Sequence, residues 1–120
     1  MAATRFEKLV SEVKKHVSEI SPLEAAEAAK GDDALIIDVR DPEGSKASHI
    51  PNAKTVSRGT LEIEIEELVP DLSRPIICYC GGGGRSALAA ESLQRMGYTK
   101  VKSMVGGFKG WQAEGLPIER

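Results

Sequence analysis

At 120 residues the chain has room for one domain with a genuine core and not for two. Its content of 41% hydrophobic and 28% charged residues is ordinary for a soluble globular protein, and no apolar run approaches the length of a membrane span. A net charge of −2 supplies no basic field for nucleic acid or anionic lipid, so neither is expected as a partner and any anion site must be local.

Met1 to Val17 is charged throughout and lacks the apolar stretch of a signal peptide. Within it Phe6, Leu9, Val10, Val13 and Val17 recur at helical spacing, which predicts an amphipathic helix laid on the outside of the domain, with residues 1–18 as that helix and 19–120 as the domain proper. Ser21, Pro22 and Glu24 form a helix start signal with a capping box, and Gly31 stops the helix that follows. Ala34 to Val39, Ile76 to Tyr79 and Val101 to Val105 are short apolar runs between helical stretches, with Ala53 to Val56 as a further candidate. This rhythm predicts buried parallel strands in an α/β sheet. Leu61 to Leu68 fits both periods; its glutamates and the alternation of strands with helices favour helix. Arg85 to Met96 reads as a helix ended by Gly97, and Phe108 to Glu114 as a last short helix stopped by Gly115. With two cysteines and no export signal, free thiols in a reducing compartment, the cytoplasm, are expected.

The informative segment runs from Ile76 to Ser86: a buried strand, then Cys80, then Gly81, Gly82, Gly83 and Gly84, then a helix opening at Arg85. Consecutive glycines let the backbone turn successive N–H groups towards one point, and the helix adds the positive end of its dipole there. Arg85 can add a full charge. A cysteine at the rim of such a cup meets the conditions that lower a thiol pKa. At the ordinary value of about 8.5 only a few per cent is thiolate at neutral pH; a fall of about 1.5 units, roughly 2 kcal/mol, makes half of it nucleophilic. The loop fits neither the P-loop nor the dinucleotide fingerprint.

Four stretches in order then resemble the rhodanese-like family and cover nearly everything after Ile20. They are Asp38 to Glu43, Ser48 to Ala53, Cys80 to Ala90, and Gly106 to Trp111. Ser48 and Asn52 stand where the family usually has Gly, and Gly44-Ser45 where it often has an acid and an aromatic. The resemblance implies a doubly wound, mainly parallel five-stranded sheet with helices on both faces, and a catalytic loop at the carboxyl ends of the strands. It also implies sulfur transfer. On that resemblance Cys80 would take sulfane sulfur from a small anionic donor such as thiosulfate and hold it as a persulfide. It would then yield that sulfur to cyanide, a thiol or a protein cysteine, without a cofactor. The amides of Gly81 to Gly84, with Arg85 and Ser86, would bind the anions.

Asp38 and Arg40 read either as a supporting charge pair beneath the loop or as a strand-end ion pair, with little to separate the two. Arg58, followed by Gly59, can reach over the loop as a second anion clamp. Cys78 reads as a buried core residue rather than a resolving thiol, and His49 as structural rather than a general base. Trp111 reads as core, and no cysteine–histidine spacing fits a metal. The other functions considered are a sulfur-relay carrier with weak thiosulfate activity, a phosphatase or arsenate reductase, and a non-catalytic regulatory module. The short Cys80 to Arg85 loop argues against phosphate, and the retained cysteine and arginine argue against a module without catalysis.

Overall fold

The computed structural model describes residues 2–31 and 33–120; Met1, at the edge of the expected first helix, lies outside the described residues. In chain order the elements are α1 (Arg5–Lys14), β1 (Ser18–Ile20), α2 (Pro22–Gly31), β2 (Leu35–Asp38), α3 (Pro42–Ala47) and β3 (Lys54–Thr55). They continue with α4 (Leu61–Leu68), β4 (Ile76–Tyr79), α5 (Gly84–Arg95), β5 (Val101–Met104) and α6 (Gly107–Ala113). The pairings within the five-stranded sheet are all parallel, in the order β1-β5-β4-β2-β3. Every residue of the central β4 is buried, as a continuous apolar run in a parallel sheet requires, whereas the edge strands β1 and β3 are mostly exposed.

Helices cover both faces. On one, Leu61 and Ile65 of α4 and Ala89, Ala90 and Leu93 of α5 pack against Ile37, Val39, Cys78 and Val101. On the other, Ala25 of α2 and Phe108 and Trp111 of α6 pack against Ile36, Ile77, Tyr79 and Met104. α1 forms a third layer: its Val10 and Val13 pack on Ala87 of α5, away from the sheet. The side chain of Thr4 and that of Glu7 cap its first turn reciprocally.

Burial resolves the ambiguous segment. An alternating strand would bury Leu61, Ile63 and Ile65 together. Leu61 and Ile65 are fully buried while Ile63 is 82% exposed, which is the helical phase. The Ser21–Glu24 capping box is present, with the Glu24 amide 3.2 Å from Ser21 Oγ and the Ser21 amide 3.3 Å from Glu24 Oε1. Two elements depart from the sequence reading. The first helix ends at Lys14, before Val17, and the chain then enters β1. α3 occupies a stretch that carries no apolar period.

Candidate active site

Cys80 follows the last residue of β4, at the carboxyl end of the central strand and just ahead of the amino end of α5. The chain between is shaped by glycine. Gly83 adopts φ of 104°, which L side chains rarely take, and from there its N–H donates to Cys80 Sγ at 3.1 Å. The Ser86 N–H donates to the same sulfur at 3.4 Å, and Ser86 Oγ lies 3.6 Å from it. The carbonyls are drawn off behind the loop: the Phe108 amide donates to the Cys80 oxygen at 2.7 Å and the Lys109 amide to the Gly81 oxygen at 3.2 Å. That close approach depends on Gly107. A Cβ there would stand 2.4 Å from the Cys80 oxygen, and its φ of 56° is itself left-handed.

The result is a sulfur with opposed influences. Burial pushes the Cys80 thiol up, but the Ser86 amide and hydroxyl and the Gly83 and Gly82 amides outweigh it, so the thiol lies below its ordinary value. Cys78 is fully buried in the same cluster without such donors. Burial first, and then the neighbouring Cys80, push its thiol up to about 12 against a smaller opposing influence of Arg58.

The cations differ in commitment. Arg58 Nη1 donates to Glu62 Oε2 at 2.7 Å, and that carboxylate oxygen also takes the Ser92 hydroxyl. Arg85, whose side chain is 43% exposed, is ion-paired among the described residues only with Asp41, at 3.9 Å. Of the two, Arg85 is the less engaged.

Asp38 and Arg40 form a fork, with Arg40 Nη2 donating to Asp38 Oδ2 at 2.7 Å and Nε to Oδ1 at 3.0 Å. Tyr79 Oη donates to Asp38 Oδ2 at 2.7 Å and accepts from the Ile50 amide at 3.2 Å. Burial pushes the Asp38 carboxyl up, yet Arg40 and then Tyr79 outweigh it and hold it below the usual range. The guanidinium also donates to the Ser48 carbonyl and lies 4.4 Å over the Phe108 ring. Phe108, whose amide donates to the Cys80 carbonyl, thus touches both the pair and the loop. His49 is occupied elsewhere, with Nδ1 3.0 Å from the Ser45 carbonyl and its backbone bridged to Glu119. Trp111 is buried and donates to the Pro117 carbonyl.

Three contributors lay outside the sequence reading: the amides of Phe108 and Lys109, and Ser103, whose fully buried hydroxyl is 2.8 Å from Ser86 Oγ. Only Ser103 left a signal, as a polar residue at an inward position of a short Val/Met strand. A cleft of about 420 Å³ lined by Ala26, Ile36, Ile50, Trp111 and Leu116 opens near the amino end of β2 and contains none of the expected site residues.

Residues 21–114 match the family model described as the rhodanese-like domain. The chain belongs to that family. The thiosulfate sulfurtransferase GlpE of Coxiella burnetii is 38% identical over 95 residues, 79% of this chain and 87% of that protein. Among solved structures, a Rhodopseudomonas palustris protein of unknown function, described as a possible tyrosine phosphatase, superposes with a TM-score of 0.86 at 31% identity, covering 99% of this chain and 98% of that one. The polysulfide-sulfur transferase homodimer of Wolinella succinogenes gives 0.82 at 31% identity, over 95% of this chain and 86% of that one. The chain is an enzyme of the rhodanese type. Among the described residues no helix is long and apolar enough to cross a membrane.

Proposed function

We propose that this sulfurtransferase moves sulfane sulfur from thiosulfate or a similar small anionic donor to a thiophilic acceptor through a persulfide on Cys80. The observation that carries the reading is the pair of N–H donors, from Gly83 and Ser86, aimed at a buried sulfur whose thiol lies below its ordinary value.

In the first step the Cys80 thiolate attacks the outer sulfur of thiosulfate. The S–S bond of the donor breaks, its electron pair leaves with sulfite, and Cys80 retains the sulfur as a persulfide. In the second, cyanide, a thiol or a protein cysteine attacks the outer sulfur, and the electron pair of the persulfide bond returns to Cys80. The Gly81 to Gly84 amides, Ser86 and Arg85 hold the anionic sulfur and the departing sulfite, Arg58 acts as the lesser cation, and Asp38 and Arg40 support the loop. The setting is the cytoplasm, consistent with both cysteines being free thiols.

Intact mass spectrometry after incubation with thiosulfate tests this. The protein should gain the mass of one sulfur atom, removable by cyanide or dithiothreitol. An unmodified mass, or an adduct that survives cyanide, contradicts the reaction.

A further inference from the structure

Behind the Cys80 sulfur lies a hydroxyl pair. Ser86 and Ser103 are both fully buried, and their oxygens are 2.8 Å apart. Ser86 Oγ is also 3.2 Å from the Gly83 carbonyl oxygen and 3.6 Å from Cys80 Sγ. A serine hydroxyl has one proton to donate and two lone pairs to accept with. The Gly83 carbonyl only accepts. Among the described residues Ser103 Oγ has no hydrogen-bond partner besides Ser86, so its buried proton is satisfied only by donation to Ser86 Oγ. Ser86 is thereby left with its own proton and two acceptors for it. While Cys80 is a thiol, the S–H donates to Ser86 and the Ser86 proton goes to the Gly83 carbonyl. Once the sulfur is an anion it can only accept, and the Ser86 proton turns to it.

We infer that Ser103 is a positioning residue for Cys80: its donation to Ser86 directs the single Ser86 proton to the anionic sulfur and polarises that bond. The inference rests on Cys80 being the nucleophile of the proposed reaction. The direction agrees with the place of the Ser86 hydroxyl among the groups that hold the Cys80 thiol low. The titratable or charged groups on the surrounding elements are Cys78 on β4, Arg58 ahead of α4 and Glu62 in its first turn, Arg85 on α5 with Asp41 ahead of α3, and Lys109 on α6. None of them hydrogen-bonds to Ser103, and none bonds to the Ser86 hydroxyl. Arg5, Glu7 and Lys8 of α1, which packs across α5, are exposed.

The test is the pH dependence of alkylation at Cys80, read by peptide mass in the purified chain without a sulfur donor. Ser86→Ala should raise the midpoint by about one unit. Ser103→Ala should raise it by less, roughly 0.1 to 0.3 units, since one bond of a hydrogen-bonded chain strengthens the next by about 10–30%. Because Ser103 acts through Ser86, adding Ser103→Ala to Ser86→Ala should change nothing further. Ser103→Thr, which keeps the hydroxyl, should titrate like the parent, while the similarly shaped Ser103→Val should titrate like the alanine variant; this pair decides the question if alanine destabilises β5. An unmoved midpoint in Ser103→Val, or a shift of equal size with and without Ser86, overturns the inference. Since no donor is present, a chain that titrates as expected but takes no sulfur from thiosulfate would overturn the reaction while supporting the role of Ser103.

Discussion

Cys78 and Cys80 stand two residues apart, pack in the same cluster, and are almost equally hidden, at 0% and 2% exposure. Burial alone pushes both thiols up, and in Cys78 it prevails, to about 12. In Cys80 the outcome reverses, because the chain leaves the strand ladder at that point and turns its next amides back on the sulfur. Within a strand, N–H groups are engaged with neighbouring strands; past its end they are available. The contrast between a thiol held high and one held low is therefore one between a strand and the loop that ends it.

The comparison is broken most completely by exchanging which thiol is present. Cys80→Ser should abolish the thiosulfate adduct, whereas Cys78→Ser should retain it; a folded Cys78→Ser protein without the adduct would assign the nucleophile wrongly. Next in size is Gly107→Ala. A methyl 2.4 Å from the Cys80 carbonyl must displace either the loop or α6, on top of a backbone conformation that costs about 1–3 kcal/mol for a residue with a side chain. We expect kcat/KM for thiosulfate to fall by roughly tenfold to a hundredfold or more, with the Cys80 midpoint moving up towards an ordinary thiol. Full turnover in a folded Gly107→Ala protein would show that the loop is not held from behind.

Arg85→Ala sharpens the comparison from outside the loop. A charge-assisted contact to an anion is worth about 1.5–3 kcal/mol, so its loss should lower kcat/KM about tenfold to a hundredfold. Arg58→Ala should do less, since Glu62 already holds that guanidinium. A larger effect from Arg58 would move the clamp to the α4 side. The smallest effect concerns stability. Asp38 has a folded-state pKa below its usual value, so its contribution is fully present above the unfolded pKa and is lost as the pH falls through the folded one. Urea midpoints measured between about pH 5 and about pH 2 should therefore decline less steeply in Asp38→Asn than in the parent. Equal slopes would mean that Arg40 and Tyr79 do not hold the carboxylate as drawn.

What was readable in the sequence follows the same division. The loop was legible because four adjacent glycines after an apolar strand have few other uses, and the central strands because burial on both faces leaves continuous apolar runs. β1 was not legible: Ser18 and Glu19 are exposed at a sheet edge, and pairing with β5 holds the strand without any hydrophobic pattern. α3 rests on Pro42 in its first turn and on contacts of Ser45, again without apolar periodicity. Leu61 to Leu68 satisfied two periods at once; its glutamates and the strand–helix alternation favoured helix, and the exposure of Ile63 agrees. The Phe108 and Lys109 amides could not be read at all, since a backbone donor leaves no trace in residue identity. The resemblance to a family supplied what spacing did not, the fifth strand and the reaction.

The most direct test of the central claim titrates both thiols of the unaltered protein in one experiment, following alkylation of Cys78 and Cys80 against pH by peptide mass. Cys80 should react with a midpoint below that of an ordinary cysteine, while Cys78 stays unmodified until the fold is lost. A shared midpoint, or a Cys80 that titrates above the ordinary value, would contradict the account.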